Sequence, residues 1–141
     1  MTYQHVDDIE HLVARFCDCS LPCDEWTHVA HLTVGLWHAR TYSADEALER
    51  VRAGIRRYNV ACGTENTETR GYHETLTRFY MMIISRFLAE RSADADLLSV
   101  TNELVARLGH RELPLAYYSR ARLMSAEARR DWVEPDLKAL D

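Results

Sequence analysis

A short stretch of the sequence, EWTHVAHLTVGLWH at positions 25–38, combines one carboxylate with three imidazoles. Its histidines are His28, His31 and His38, and Glu25 precedes the first of them by three residues. Neutral imidazole and carboxylate groups are common protein ligands of Zn²⁺, Fe²⁺, Mn²⁺ and Ni²⁺. The stretch therefore predicts a divalent transition-metal site, provided that one helix presents these side chains together.

Helical geometry places the histidines on one stripe. With about 100° per residue, His28, His31, His38 and the intervening Gly35 fall within about 80° of one another. Glu25 lies at the edge of this stripe, and its spacing from His28 allows both side chains to reach one ion. Glycine lowers helix propensity by ~1 kcal/mol relative to alanine, so Gly35 requires a packing or access reason. We interpret it as a gap beside the imidazoles.

The segment GYHETLT at positions 71–77 supplies the second set of candidate ligands. His73 and Glu74 open a strongly apolar stretch, and His73 lies at the edge of its predicted core face. Glu74 lies about 160° from the core-facing Leu76, so a regular helix points it outward, where it complements the helix dipole. An irregular helix start would allow Glu74 to turn inward.

The metal hypothesis places a mononuclear site between the second and fourth helices. His28 and His73 are ligands, His31 or Glu25 completes the set, and Glu74 is a further ligand or a catalytic general base. Two histidines and a carboxylate are typical of non-haem iron, whereas three protein ligands and a water are typical of hydrolytic zinc. The function predicted on this basis is an enzyme that acts on a small molecule.

Other interpretations of the same residues stay open. The histidines could line the pocket of a non-catalytic module that binds a small ligand or a partner helix without metal. They could also be hydrogen-bonded within the core, and the apolar fourth helix could serve a homo-oligomer. In YYSRAR, the side chains of Arg120 and Arg122 could hold an anionic group. The sequence leaves open whether the protein is an enzyme.

Composition narrows the classes of partner. A chain of 141 residues with 47% hydrophobic residues predicts one folded domain, 1–141. The net charge of −5 disfavours nucleic acid and anionic membranes as partners. We find no secretion signal and no apolar run long enough for a bilayer, which predicts a cytoplasmic location. The four cysteines are therefore expected to be reduced. They are Cys17, Cys19, Cys23 and Cys62.

Turn and capping signals divide the chain into helices. Apolar spacing predicts helices over 6–18, from Pro22 to about 40, and over 44–60, 72–90 and 94–108. Ser43 with Glu46 forms a capping-box pattern, and Gly63 and Gly109 are stop signals. One or two short helices, with Ser125 as a cap, and an extended end follow. The predicted fold is all-α: a compact bundle of four to five main helices with a wrapping C-terminal tail.

The chain also resembles a set of conserved bacterial helical proteins of unassigned activity. The resemblance is carried by EWTHVAHL and GYHETLT, and it extends to the C-terminal YSRARLMSAEARRDWVEPDL. It implies no substrate, cofactor or site residue, so the interpretation of the histidines depends on the residues themselves.

Overall fold

Seven α-helices and two short 3₁₀ turns form the secondary structure of the computed structural model, which describes residues 2–140. The helices are α1 (Val6–Cys17), α2 (His28–Thr41), α3 (Ala44–Ala61), α4 (Glu74–Ala89), α5 (Leu97–Leu108), α6 (Arg120–Leu123) and α7 (Ala126–Arg130). The 3₁₀ turns span Cys23–Glu25 and Leu113–Ala116. The described residues contain no strand, so the all-α prediction with five main helices is confirmed.

Side-chain caps fix the helix starts. Ser43 Oγ accepts a hydrogen bond from the Glu46 N–H, and Ser125 Oγ accepts one from the Ala128 N–H, so both predicted caps are confirmed. The fifth helix begins three residues later than predicted because Asp96 caps it. Gly63 follows α3 with a φ of 81°, a left-handed conformation that glycine adopts without strain and that ends a helix.

The start of α2 differs from the prediction. The helix begins at His28, and the hydroxyl of Thr27 caps it by accepting from the Ala30 N–H. Glu25 lies before this cap, in the 3₁₀ turn. The prediction that one helix carries Glu25 together with the histidines is therefore wrong, because a threonine N-cap satisfies the first free N–H groups of α2 at that point.

Helix α4 lies at the centre of the fold, as its apolar character predicts. It contacts α2, α3 and α7, and it buries large side chains on more than one face. These side chains are Phe79, Met81, Ile84 and Phe87. Among the described residues, no helix combines the length and the apolar character needed to cross a bilayer.

The cysteines depart from the prediction. Cys23 and Cys62 form a disulfide, with their Cα atoms 5.9 Å apart, whereas Cys17 and Cys19 are free. The expectation of four reduced thiols is wrong for this pair. The bond ties the 3₁₀ turn before α2 to the end of α3 across 39 residues, a separation over which no local sequence pattern signals the pairing.

The disulfide is expected to add to stability. It closes a long loop and so restricts the unfolded chain, which predicts a loss of roughly 2 to 4 kcal/mol in unfolding free energy when Cys23 is replaced by serine. Urea denaturation of Cys23→Ser beside wild type measures this loss, and Cys17→Ser is the control. Alkylation without reductant should label two thiols per chain. Labelling of four thiols in the folded, unreduced protein would contradict the pairing.

Candidate functional site

A cavity of about 400 Å³ opens between α2, α3, α4 and the segment 111–124. This volume falls within the range of sites that bind small molecules, roughly 300–1,000 Å³. Most of its walls are apolar. The lining residues are Trp26, His28, His31, Leu32, Gly35, Val51, Ile55, Leu76, Thr77, Tyr80, Met81, Ile84, Arg111, Pro114, Leu115, Arg120, Leu123 and Met124.

Gly35 lies in the wall where α2 packs against α4. A Cβ atom at this position would lie 2.9 Å from Ile84 Cδ1 and 3.4 Å from the Met81 sulfur. The first distance is shorter than van der Waals contact, so a larger residue would displace the end of the Ile84 side chain. Gly35 thus has a packing reason, and Ile84 and Met81 occupy the place where its side chain would begin.

His28 lines the cavity and has an unsatisfied ring nitrogen. Its Nε2 atom is shielded from solvent and has no hydrogen-bond partner among the described residues. The ring of Tyr80 packs edge-on at 5.5 Å between centroids. Burial lowers the pKa of His28, and the nearby charge of Arg111 lowers it further. The imidazole is therefore neutral at pH 7, with a polar atom that requires a partner.

His31, one turn further along α2, lines the same wall. Its Nδ1–H donates to the Thr27 carbonyl at 2.8 Å, so the neutral ring keeps a free lone pair on Nε2. The ring packs on Trp26 at 3.8 Å between centroids. The side chain is accessible from the open cavity, yet the surrounding walls desolvate it and lower its pKa to about 4. His31 is therefore neutral at pH 7.

Besides His31, two aromatic side chains pack against the indole of Trp26. Phe16 of α1 stacks on it with ring centroids 4.6 Å apart, and Tyr58 of α3 packs at 5.3 Å. The disulfide at Cys23 anchors the turn immediately before it. The indole and His31 therefore form one rigid edge of the cavity.

His73 does not reach the cavity. It is the N-cap of α4, and its Nδ1 accepts from the Leu76 N–H at 3.1 Å. Its Nε2–H donates to the Leu123 carbonyl at 2.8 Å. Both ring nitrogens are therefore hydrogen-bonded to backbone groups of the protein. The side chain joins the start of α4 to the end of α6 and so fixes Leu123, which lines the cavity.

Glu74 is buried and turns inward, the second of the two orientations that the sequence left open. Its two oxygens accept from Arg52 of α3, at 2.9 Å from Nε and 2.6 Å from Nη2, and from the Tyr72 hydroxyl at 2.6 Å. Burial acts to raise the pKa of Glu74, but hydrogen bonds from Arg52 and Tyr72 outweigh it and lower the pKa. The carboxylate is a fixed partner of Arg52, which explains its inward orientation.

The structure thus brings together two of the predicted site residues. His28 and His31 share the cavity, whereas His73 and Glu74 lie outside its lining and Glu25 is exposed in the 3₁₀ turn. Among residues 2–140, no three His, Cys, Asp or Glu side chains are grouped to hold a metal ion. The mononuclear site with His28, His31, His73 and Glu25 stays a prediction.

Sequence reasoning missed several residues of the cavity. Tyr80 lies four residues after Leu76 on the same face of α4, so helical spacing could have found it. Arg111 follows the end of α5 in a loop, and no local pattern signals its position. Trp26 directly follows the 3₁₀ turn Cys23–Glu25, and helical spacing gives no sign that its ring packs on His31.

The comparisons with known proteins give no analogue for this cavity. No protein-family model matches the chain, and no curated protein or solved structure is detectably similar to it. Function must therefore be argued from the cavity itself.

His73 should matter for stability. We expect His73→Ala to lower the unfolding free energy by about 2 to 3 kcal/mol, because it removes an N-cap and leaves the buried Leu123 carbonyl unpaired. His73→Asn keeps a capping side chain and should lose less. Exposed His11→Ala is the control and should change stability by less than about 0.5 kcal/mol. Equal urea midpoints for His73→Ala and His11→Ala would contradict the role assigned to His73.

Proposed function

We propose that the protein is a non-catalytic module that binds a small, largely apolar molecule in the cavity between α2, α4 and the segment 111–124. The observation that carries the proposal is the cavity of about 400 Å³, whose lining is mostly apolar and includes two histidines. A largely apolar molecule would remove these walls from water, which is favourable.

The neutral state of the two histidines supports this proposal. A charged imidazolium would favour water over an apolar ligand, but the pKa values of His28 and His31 are both lowered. The Nε2 lone pair of His31 accepts a hydrogen bond, so it favours a ligand with a hydroxyl or N–H group on the side that faces α2. Apolar walls with a few placed polar atoms are typical of small-molecule sites.

A second candidate function retains a metal ion. His28 and His31 lie one helical turn apart, and neither Nε2 atom has a hydrogen bond within the described residues. Two such imidazoles could bind one divalent transition ion, with its other positions filled by water or by a small molecule. This version leaves His73 out of the ligand set, because both of its nitrogens are bonded elsewhere.

A larger side chain in the cavity should weaken ligand binding. Leu115 lines it, whereas Leu137 is 60% exposed on the surface. We expect Leu115→Trp to weaken binding of the neutral fluorescent probe N-phenyl-1-naphthylamine by roughly tenfold or more, because the indole takes the space of the ligand. Leu137→Trp makes the same substitution away from the cavity and should bind like wild type. Equal affinities for the two variants would contradict the proposed site.

Elemental analysis distinguishes a metal site formed by His28 and His31 from the sequence-predicted site that also includes His73. The proteins to compare are wild type, His28→Ala and His73→Ala, each purified without a tag after growth with metals. If His28 and His31 hold an ion, wild type and His73→Ala should contain about one equivalent, and His28→Ala should lose it. Loss in both variants would restore His73 as a ligand. Well under one equivalent in wild type, with none gained on dialysis, would rule against the metal candidate.

A further inference from the structure

The mouth of the cavity carries two arginines without acidic partners. Arg111 and Arg120 both line the cavity and are exposed. Within residues 2–140, neither guanidinium forms an ion pair. Arg52 and Arg91, by contrast, pair with Glu74 and Glu103 at 2.6 and 2.7 Å.

The charge of the cavity is opposite to that of the chain. The sequence has 22 acidic and 17 basic residues, yet no aspartate or glutamate lines the cavity. The charge of Arg111 extends into it, since it contributes to the lowered pKa values of both His28 and His31. A bound anion would therefore meet two cations and no lining carboxylate, and the opposing charge is that of Glu112, which acts on the lining Tyr80 together with Arg111.

The charged and the apolar lining residues differ in exposure. Arg111 and Arg120 are exposed, whereas apolar side chains of α2, α3 and α4, such as Leu32, Val51 and Ile84, are buried. The histidine lone pairs would repel an anion, while the guanidinium groups attract it. A ligand with one charged end is thus oriented with that end outward and its apolar body inward.

We propose that the ligand is an amphipathic organic acid, ionised at pH 7, whose apolar body fills the cavity and whose anionic head contacts Arg111 and Arg120. This inference rests on the proposed function of the cavity and adds the chemical class of its ligand. Guanidinium groups bind carboxylates through charge-assisted, often bidentate hydrogen bonds.

The experiment compares two probes that share an apolar chain and differ in the head group. Binding of decanoate and of decanol is measured by competition with the fluorescent naphthylamine at pH 7. We expect wild type to bind decanoate roughly tenfold more tightly than decanol, because hydrogen bonds to charged groups are the stronger ones. In the double variant Arg111→Gln/Arg120→Gln, the two affinities should become similar, while that for decanol stays unchanged.

The control is a double variant with the same change in net charge. Arg40 and Arg86 are exposed and lie outside the cavity, so Arg40→Gln/Arg86→Gln should keep the preference for decanoate. Equal binding of decanoate and decanol by wild type would overturn the inference and leave the apolar site standing. An equal loss of preference in both double variants would overturn the assignment to Arg111 and Arg120. No binding of any of the three probes to wild type would overturn the proposed function together with it.

Discussion

The close packing of α2 against α4 at Gly35 is the constraint on which the cavity depends. A Cβ atom there would lie 2.9 Å from Ile84 Cδ1, so any larger residue requires the end of this core side chain to shift. Ile84 and Met81, which pack on Gly35, also line the cavity. The weak helix propensity of glycine is tolerated at this position because it allows this packing.

Three interactions between residues distant in sequence fix the cavity walls around the α2–α4 packing. The disulfide Cys23–Cys62 fixes the turn before Trp26, the partly buried pair Arg52–Glu74 joins α3 to the start of α4, and His73 joins α4 to Leu123. Each contact is made by a residue type (cysteine, glutamate or histidine) that also occurs as a metal ligand or catalytic group in proteins. In this fold these groups are bonded to one another and hold the walls of the cavity in place. The polar side chains available to a ligand are those of His28, His31, Tyr80, Arg111 and Arg120.

The sequence predicts the helices well because their signals are local. Caps such as Ser43 and Ser125, the stop at Gly63 and the apolar character of α4 act within a few residues of the ends and faces that they determine. The shared stripe of His28 and His31 is equally local, since both residues lie on one helix. The sequence could not predict the inward turn of Glu74, which depends on Arg52 more than twenty residues away.

The other features that the sequence does not predict also depend on contacts between residues distant in sequence. The sequence predicts His73 as a free imidazole, but the Leu123 carbonyl that accepts from its Nε2–H comes from a segment fifty residues later. No local pattern pairs Cys62 with Cys23, because all of α2 and α3 lies between them. Arg111 reaches the cavity only because the loop after α5 folds back over α2 and α4. Tertiary contacts of this kind leave no periodic pattern in the sequence.

His28 and His31 line the cavity, whereas both ring nitrogens of His73 are hydrogen-bonded within the fold. Long-range ¹H–¹⁵N correlation spectra of the histidine side chains at pH 7, with and without N-phenyl-1-naphthylamine, test this difference directly. We expect His31 to be the Nδ1–H tautomer and His73 the Nε2–H tautomer. The probe should shift the imidazole ¹⁵N signals of His28 and His31 and leave those of His73 unchanged. A probe-induced shift at His73, with none at His28 and His31, would contradict the assignment of the cavity as the ligand site.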